Sequence, residues 1–257
     1  MPNTSLRLNR TGVLIDTPRV AAIKIRRTYI IRASAVVAAL LSFLIIYNPS
    51  AFAQTEHPIT GRRIAPVMGM GGADWLERPE REWEENPDAM LDLLSLKKGE
   101  TVGDVGAGVG YLTLRIGKRV GPAGKVYGVD VQKEMLERLR ANAAKAGITN
   151  IETILGSETD PLLPVGKVDL ILMVDVYHEL SHPQAMLQSM KKELSPQGRL
   201  ALVEYRKEDP SIPIRVEHKM SAWEVKAEVE AEGYKLVKTL TTLPRQSVFI
   251  FQVAKPN

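Results

Sequence analysis

Residues 102–112 read Val102-Gly103-Asp104-Val105-Gly106-Ala107-Gly108-Val109-Gly110-Tyr111-Leu112. A short apolar run enters three glycines at alternate positions, and a helical pattern follows. Glycines belong there when a turn needs unusual backbone angles and a ligand must approach the main chain closely. The first turn of the helix then offers unpaired N–H donors. Asp130 closes the next apolar run, 20 residues after Gly110. A carboxylate at that place accepts hydrogen bonds from ribose hydroxyls. The chemistry is recognition of a nucleoside.

Two cofactor classes compete. A dinucleotide fold uses Gly-x-Gly-x-x-Gly, and its third glycine lets helix and strand pack closely. Here the spacing is Gly-x-Gly-x-Gly, and Tyr111 stands where that third glycine would be. Asp104 precedes the loop by two residues. Its carboxylate repels a pyrophosphate and attracts an ammonium or a sulfonium. The charge logic favours S-adenosylmethionine over a nicotinamide dinucleotide.

On these residues the chain resembles the class I S-adenosylmethionine-dependent methyltransferases. Asp104-Val105-Gly106-Ala107-Gly108-Val109-Gly110 matches their first motif, and Asp130 their second-strand acid. Gly156-Ser157-Glu158 aligns with their adenine site, and Asp175-Val176-Tyr177-His178 with the motif ending their fourth strand. The resemblance covers residues 87–257. The lead-in Met68–Glu85 also resembles the N-terminal segment of a bacterial subgroup of these enzymes. The implied cofactor contacts are Asp104, Gly106, Ala107, Gly108, Gly110, Tyr111, Asp130, Val131, Ser157, Glu158 and Asp175. The implied reaction is direct methyl transfer to a small-molecule acceptor. His178 would sit beside the methyl group and take a proton from the nucleophile, or serve as a structural histidine bonded to backbone. Tyr177 would pack on the adenine or methionine moiety, or in the core. Glu204, Tyr205, Arg206 and His218 are candidate substrate contacts. Two alternatives stay open: an exported binding protein without catalysis, and a nucleotide-cofactor oxidoreductase.

His178-Glu179-Leu180-Ser181-His182 also matches the His-Glu-x-x-His zinc signature. That chemistry needs both histidines one turn apart on one helix. Here the segment follows an apolar strand, and Pro183 pushes His182 away from helical angles. No metal site is expected.

The elements that position these residues alternate. Strands are predicted over Thr101–Val105, Lys125–Val129, Ile151–Leu155, Val168–Val174 and Arg199–Glu204. Helices are predicted over Pro87–Leu94, Leu112–Val120, Lys133–Ala146, Gln184–Leu194 and Ala222–Glu232. The run Val168–Val174 reads as a central strand buried on both faces. Lys235–Leu240 and Val248–Val253 have no room for a helix between them and should pair antiparallel. The fold class is α/β: a doubly wound, mostly parallel seven-stranded sheet with an antiparallel C-terminal hairpin, as in the Rossmann-like methyltransferases. Residues 54–86 form a lead-in, either a lid over the site or a helix packed on the sheet. The alternating charges of residues 77–85 read as a solvated helix face.

The chain has 257 residues, 44% hydrophobic and 25% charged, with no cysteine. This excludes disulfides, thiolate metal sites and a cysteine nucleophile. Residues 1–53 carry seven Lys/Arg and one acid, so the net +4 of the chain leaves −2 for the rest. No nucleic-acid partner is expected for the body. Arg26, Arg27 and Arg32 precede an uncharged stretch, 33–47, then Asn48-Pro49 and Ala51-Phe52-Ala53. This pattern reads as a secretory signal cleaved near Ala53, with a periplasmic or secreted body. The alternative is a membrane anchor formed by residues 33–53. Arg26-Arg27 also resembles a twin-arginine export signal.

Overall fold

The computed structural model describes residues 55–255. The leader, its cleavage site and the anchor alternative lie outside the described residues. Among the described residues no helix is long and apolar enough to cross a membrane.

Seven strands form one sheet: β1 (Thr101–Val105), β2 (Lys125–Asp130), β3 (Ile151–Leu155), β4 (Val168–Val174), β5 (Leu194–Tyr205), β6 (Tyr234–Leu240) and β7 (Gln246–Val253). Their order is β3-β2-β1-β4-β5-β7-β6. β1 to β5 are parallel, and β7 runs antiparallel between β5 and β6. The predicted sheet and its closing hairpin are therefore observed. The chain leaves β1 toward β2 on one side and returns as β4 on the other. Ligands bind at the carboxyl ends of the strands where the order reverses in this way.

β4 lies mid-sheet, as its composition requires. Ile171 and Met173 face one core layer with Met186, Leu187, Val225 and Phe249. Leu170 and Leu172 face the other with Leu91, Leu94, Leu112 and Ile116. A strand packed on both faces has no polar alternation to show.

The helices are α1 (Ala73–Leu76), α2 (Arg81–Glu84), α3 (Pro87–Leu93), α4 (Tyr111–Val120), α5 (Lys133–Lys145), α6 (Pro183–Glu193) and α7 (Ala222–Ala231). α4 buries Leu112, Ile116 and Val120 at helical spacing and carries Lys118 and Arg119 in its last turn, where cations meet the dipole favourably. α7 opens with a capping box between Ser221 and Glu224. One boundary differs from expectation. Leu194 leaves the helix with an extended backbone and joins β5, pairing with Val168 across a register shift. β5 is thus twelve residues long, starting five residues before the predicted Arg199.

The lead-in packs on this body through a buried charge cluster. Arg62 and Glu228 are joined by Nε–Oε1 and Nη2–Oε2 contacts of 2.8 and 3.0 Å. Thr60 also donates to Glu228. Ala65 N–H and Arg62 Nη1 both donate to the His178 carbonyl, at 3.0 and 3.1 Å.

Candidate active site

The glycine loop joins β1 to α4 at the carboxyl end of the sheet. Gly106 has φ +78°, and a Cβ on it would lie 2.4 Å from Val176, which follows β4. Gly110 caps α4 with φ +93°. Side chains are excluded at both places, by backbone angle and by space. The loop's N–H groups turn inward. Gly106 and Ala107 donate to the Val129 carbonyl at 2.8 and 2.9 Å, and Gly110 donates to Ala107. Gly108 donates to Asp130 Oδ2 at 2.9 Å, while Gln132 N–H binds Oδ1.

This loop floors a cavity of about 760 Å³. Asp104, Gly106, Ala107, Gly108, Tyr111, Asp130, Val131, Ser157, Glu158, Asp175 and His178 all line it. The structure therefore brings these eleven predicted residues to one cavity, together with Tyr205 and His218 of the four candidate substrate contacts. Gly110 stands behind them as the helix cap. The lead-in supplies a wall through Val67, Met68, Trp75 and Leu76. Gln132 Nε2 holds that wall by donating to the Met68 carbonyl at 2.9 Å. The opposite wall is Pro213, Ile214, Arg215 and His218, from the loop after β5.

The electrostatics favour a cation. Asp104, Asp130, Glu158, Asp175 and Glu179 face two arginines, Arg81 and Arg215. Excess negative charge in a low-dielectric cleft raises the local concentration of cations. Burial pushes the Asp104 carboxyl up to about 6 despite its 2.6 Å bond from Thr113 Oγ1. Burial, with Glu85 and Glu204 nearby, holds Asp175 well above the usual carboxylate range. Asp175 sits at φ +55° and accepts from Gln246 Nε2 through Oδ2. Its Oδ1 is buried without a hydrogen-bond partner among the described residues. Burial also raises Glu179, to about 7. An N–H or sulfonium cation from a ligand would meet these needs.

Several readings are corrected. Tyr177 is fully buried in the core beside Arg62, whose guanidinium lies 5.4 Å from its ring, and it does not line the cavity. Arg206 faces away, donating to the carbonyls of Leu243, Pro244 and Gln246. Residues 77–85 are solvated on one side only: Glu80, Glu82 and Trp83 are exposed, while Arg81 and Glu85 are buried, paired at 2.6 Å and joined by Tyr205. His178 is 2% exposed and is not a free base. Its Nδ1 donates to Glu204 Oε2 at 2.6 Å, and its Nε2 faces His218 Nδ1 at 3.1 Å. The predicted separation of the two His-Glu-x-x-His histidines holds. His178 lies in a single 3-10 turn, and His182 precedes α6 and contacts Glu158.

Arg81, Gln132 and the 213–215 loop were not foreseen. For Arg81 the spacing with Glu85 was the available signal, since an i,i+4 pair forms equally well on a buried face. Ser157 lines the cavity, but its hydroxyl caps its own turn, accepting from Asp160 N–H at 3.0 Å.

Fold and site together define a Rossmann-like domain built for a nucleoside with positive charge. A family model described as a methyltransferase domain matches residues 96–244, and the chain belongs to that family. Nocamycin O-methyltransferase of Saccharothrix syringae is 31% identical over 143 residues, 54% of this chain and 48% of the relative. A ubiquinone/menaquinone biosynthesis C-methyltransferase of Escherichia fergusonii is 29% identical over 118 residues, 46% of this chain and 47% of the relative. The chain spans about half the length of these curated relatives. Among solved structures, a SAM dependent methyltransferase of Aquifex aeolicus superposes with TM-score 0.69 at 30% identity, covering 73% of this chain and all of that one. S-adenosylmethionine is the cofactor that family and structural relatives imply for this cavity.

Proposed function

We propose that the chain transfers a methyl group from S-adenosylmethionine to a small-molecule acceptor that enters beside His218, Ile214 and Glu179. One observation carries this reading. The N–H groups of Gly106, Ala107, Gly108 and Gly110 are all bonded within the protein. A pyrophosphate cofactor needs such groups free to receive its oxygens. A loop that satisfies itself, above carboxylates, suits a cationic cofactor without phosphate.

The residues fit that group by their chemistry. Asp130 keeps one acceptor site on each oxygen for ribose hydroxyls. The orphaned Asp175 Oδ1 and the buried Asp104 offer acceptors to an ammonium. Leu76, Met135 and Val131 supply apolar lining, with Ser157 and Glu158 at the far end. Bound S-adenosylmethionine supplies an electrophilic methyl on a sulfonium.

The chain's own work is alignment and exclusion of water, which bring two reactants into one geometry. The lead-in wall and the 213–218 loop close the cavity from both sides. The histidine cluster is the polar patch where the acceptor's nucleophilic atom would sit. The fold does not name the acceptor, because many chemistries share it. The leader reading extends the proposal to an exported enzyme. Cell fractionation with N-terminal sequencing tests it, and a cytoplasmic, uncleaved chain would overturn it.

Calorimetry on the full chain tests the cofactor. S-adenosylmethionine and S-adenosylhomocysteine should bind, and nicotinamide dinucleotides should not. Release of S-adenosylhomocysteine with a panel of hydroxyl, amine and enol acceptors tests catalysis. Preference for a dinucleotide would overturn the reading.

A further inference from the structure

We propose that His178 Nε2, His218 Nδ1 and Glu179 Oε1 form a binding site for a divalent transition-metal ion of the Zn²⁺, Co²⁺ or Ni²⁺ type, at the acceptor end of the cavity. This goes against the expectation from the sequence, which weighed only His178 with His182.

The donor atoms converge. His178 Nε2 and His218 Nδ1 are 3.1 Å apart. Glu179 Oε1 lies 3.7 Å from His218 Nδ1 and 4.0 Å from His178 Nε2. All three ligand atoms fall within 4.8 Å of one another. Ligands held at about 2.0–2.1 Å in a tetrahedron are roughly 3.4 Å apart. The nitrogens need to part by only about 0.3 Å to reach that spacing, and the carboxylate must close by about 0.3 Å on His218 and about 0.6 Å on His178.

Proton positions agree. The Glu204 carboxylate can only accept, so His178 Nδ1 carries the hydrogen of their 2.6 Å bond. Nε2 then presents its lone pair toward His218. A carboxylate behind a histidine fixes the tautomer and raises ligand basicity, the arrangement found behind metal-bound imidazoles. His218 Nδ1 shares a hydrogen with His178 Nε2 until the ion takes that place, and His218 then carries its hydrogen on Nε2.

Charge is the second independent observation. Glu204 is fully buried, and among the described residues its ion-pair partner is His178 and its Oε1 has no hydrogen-bond partner. Glu179 pairs with the same two histidines. Glu179 in the cleft and Glu204 behind His178 thus bracket the two imidazoles, and a bound cation balances the acids. Two imidazoles and one carboxylate suit Zn²⁺, Co²⁺ or Ni²⁺ rather than the oxygen-seeking Mg²⁺ or Ca²⁺.

His178, Glu179 and His218 all line the cavity, so the remaining coordination positions face the acceptor space. An acceptor with an oxygen donor would complete the set. That use rests on the proposed function; the metal site does not.

The test is a Co²⁺ titration of the EDTA-stripped full chain, read by visible d–d absorption, with Zn²⁺ competition. One equivalent should bind and give a spectrum of nitrogen and oxygen ligation. H218A and E179Q should each weaken Zn²⁺ at least tenfold, and E204Q about 10–100-fold from behind His178. H182A should bind within twofold of the native chain. Circular dichroism and thermal unfolding establish that the variants are folded. Failure of the native chain to bind one equivalent, or binding that H218A leaves unchanged, overturns the site. S-adenosylmethionine calorimetry on the stripped chain reports separately on the cofactor, so either reading can fail without the other.

Discussion

Gly108 N–H donates to Asp130 Oδ2 at 2.9 Å, tying the middle of the glycine loop to the end of the neighbouring strand. The bond removes from the loop a donor that a phosphate would need. It also fixes the carboxylate at the rim, with Gln132 N–H on its other oxygen. D130N keeps the volume but replaces one acceptor oxygen with an NH₂. Hydrogen bonds to charged groups contribute about 1.5–3 kcal/mol. S-adenosylmethionine affinity should therefore fall about 10–100-fold by calorimetry. An affinity within threefold of the native chain would remove Asp130 from the cofactor site.

Gly106 has the tightest fit in the loop. G106A places a methyl 2.4 Å from Val176 at φ +78°. The left-handed backbone costs about 1–2 kcal/mol and overpacking about 1–3 kcal/mol. For a body of this size the Tm should fall by roughly 5–15 °C. Adding V176A should restore part of the loss, since it removes the clash but not the backbone cost. Equal Tm values for the single and double variants would place the whole cost in the backbone.

The elements were legible where local chemistry decides them. β4 announced itself by an unbroken apolar run, and α4 by a glycine start and a leucine–isoleucine–valine stripe. The nucleoside site was legible because its residues cluster at the ends of β1 and β2. The histidine cluster was not. Glu204 reaches His178 because β5 lies beside β4, with Val203 opposite Val174. Nothing local in a sequence states which strands are neighbours. Arg81 and Glu85 misled because alternating charge is the same string whether a helix faces water or a cleft. For Tyr177 the sequence left cavity and core both open, because one residue of turn separates the two, and the structure takes the core.

Arg62 and Glu228 hold the lead-in to α7. R62A leaves Glu228 buried without its guanidinium, and breaking such a pair costs about 3–5 kcal/mol. The same change frees the His178 carbonyl from one donor. Tm should fall, and limited proteolysis should cut within residues 55–66 first. R62M/E228L removes both charges and should recover most of the stability. In the native chain burial and Arg62 hold His57 down at about 4. R62A removes the second cause and leaves Glu228 3.4 Å from His57 Nε2, so His57 should take up a proton more readily in the variant and offset part of the loss at lower pH.

Asp104 makes cofactor affinity depend on pH. Its carboxyl titrates at about 6 in the folded chain, against 3.8 for the free side chain. Burial is the main cause, Thr113 and Arg81 oppose it, and Asp130 adds to it. The folded state thus holds a proton that the unfolded state has released between those values. The group's contribution to stability is full below about 4 and is lost as pH rises through 6. Cofactor binding runs the other way, because a cation needs the ionised carboxylate. Through this group affinity for S-adenosylmethionine should fall by a factor approaching about tenfold per pH unit below 6, while Asp175, also raised by burial, adds its own slope to native and D104N chains alike. Binding then releases a proton, measurable by calorimetry in buffers of different ionisation enthalpy. D104N should bind weakly and lose this limb of the profile. If native and D104N profiles share one slope between pH 5 and 7, Asp104 does not face the cation.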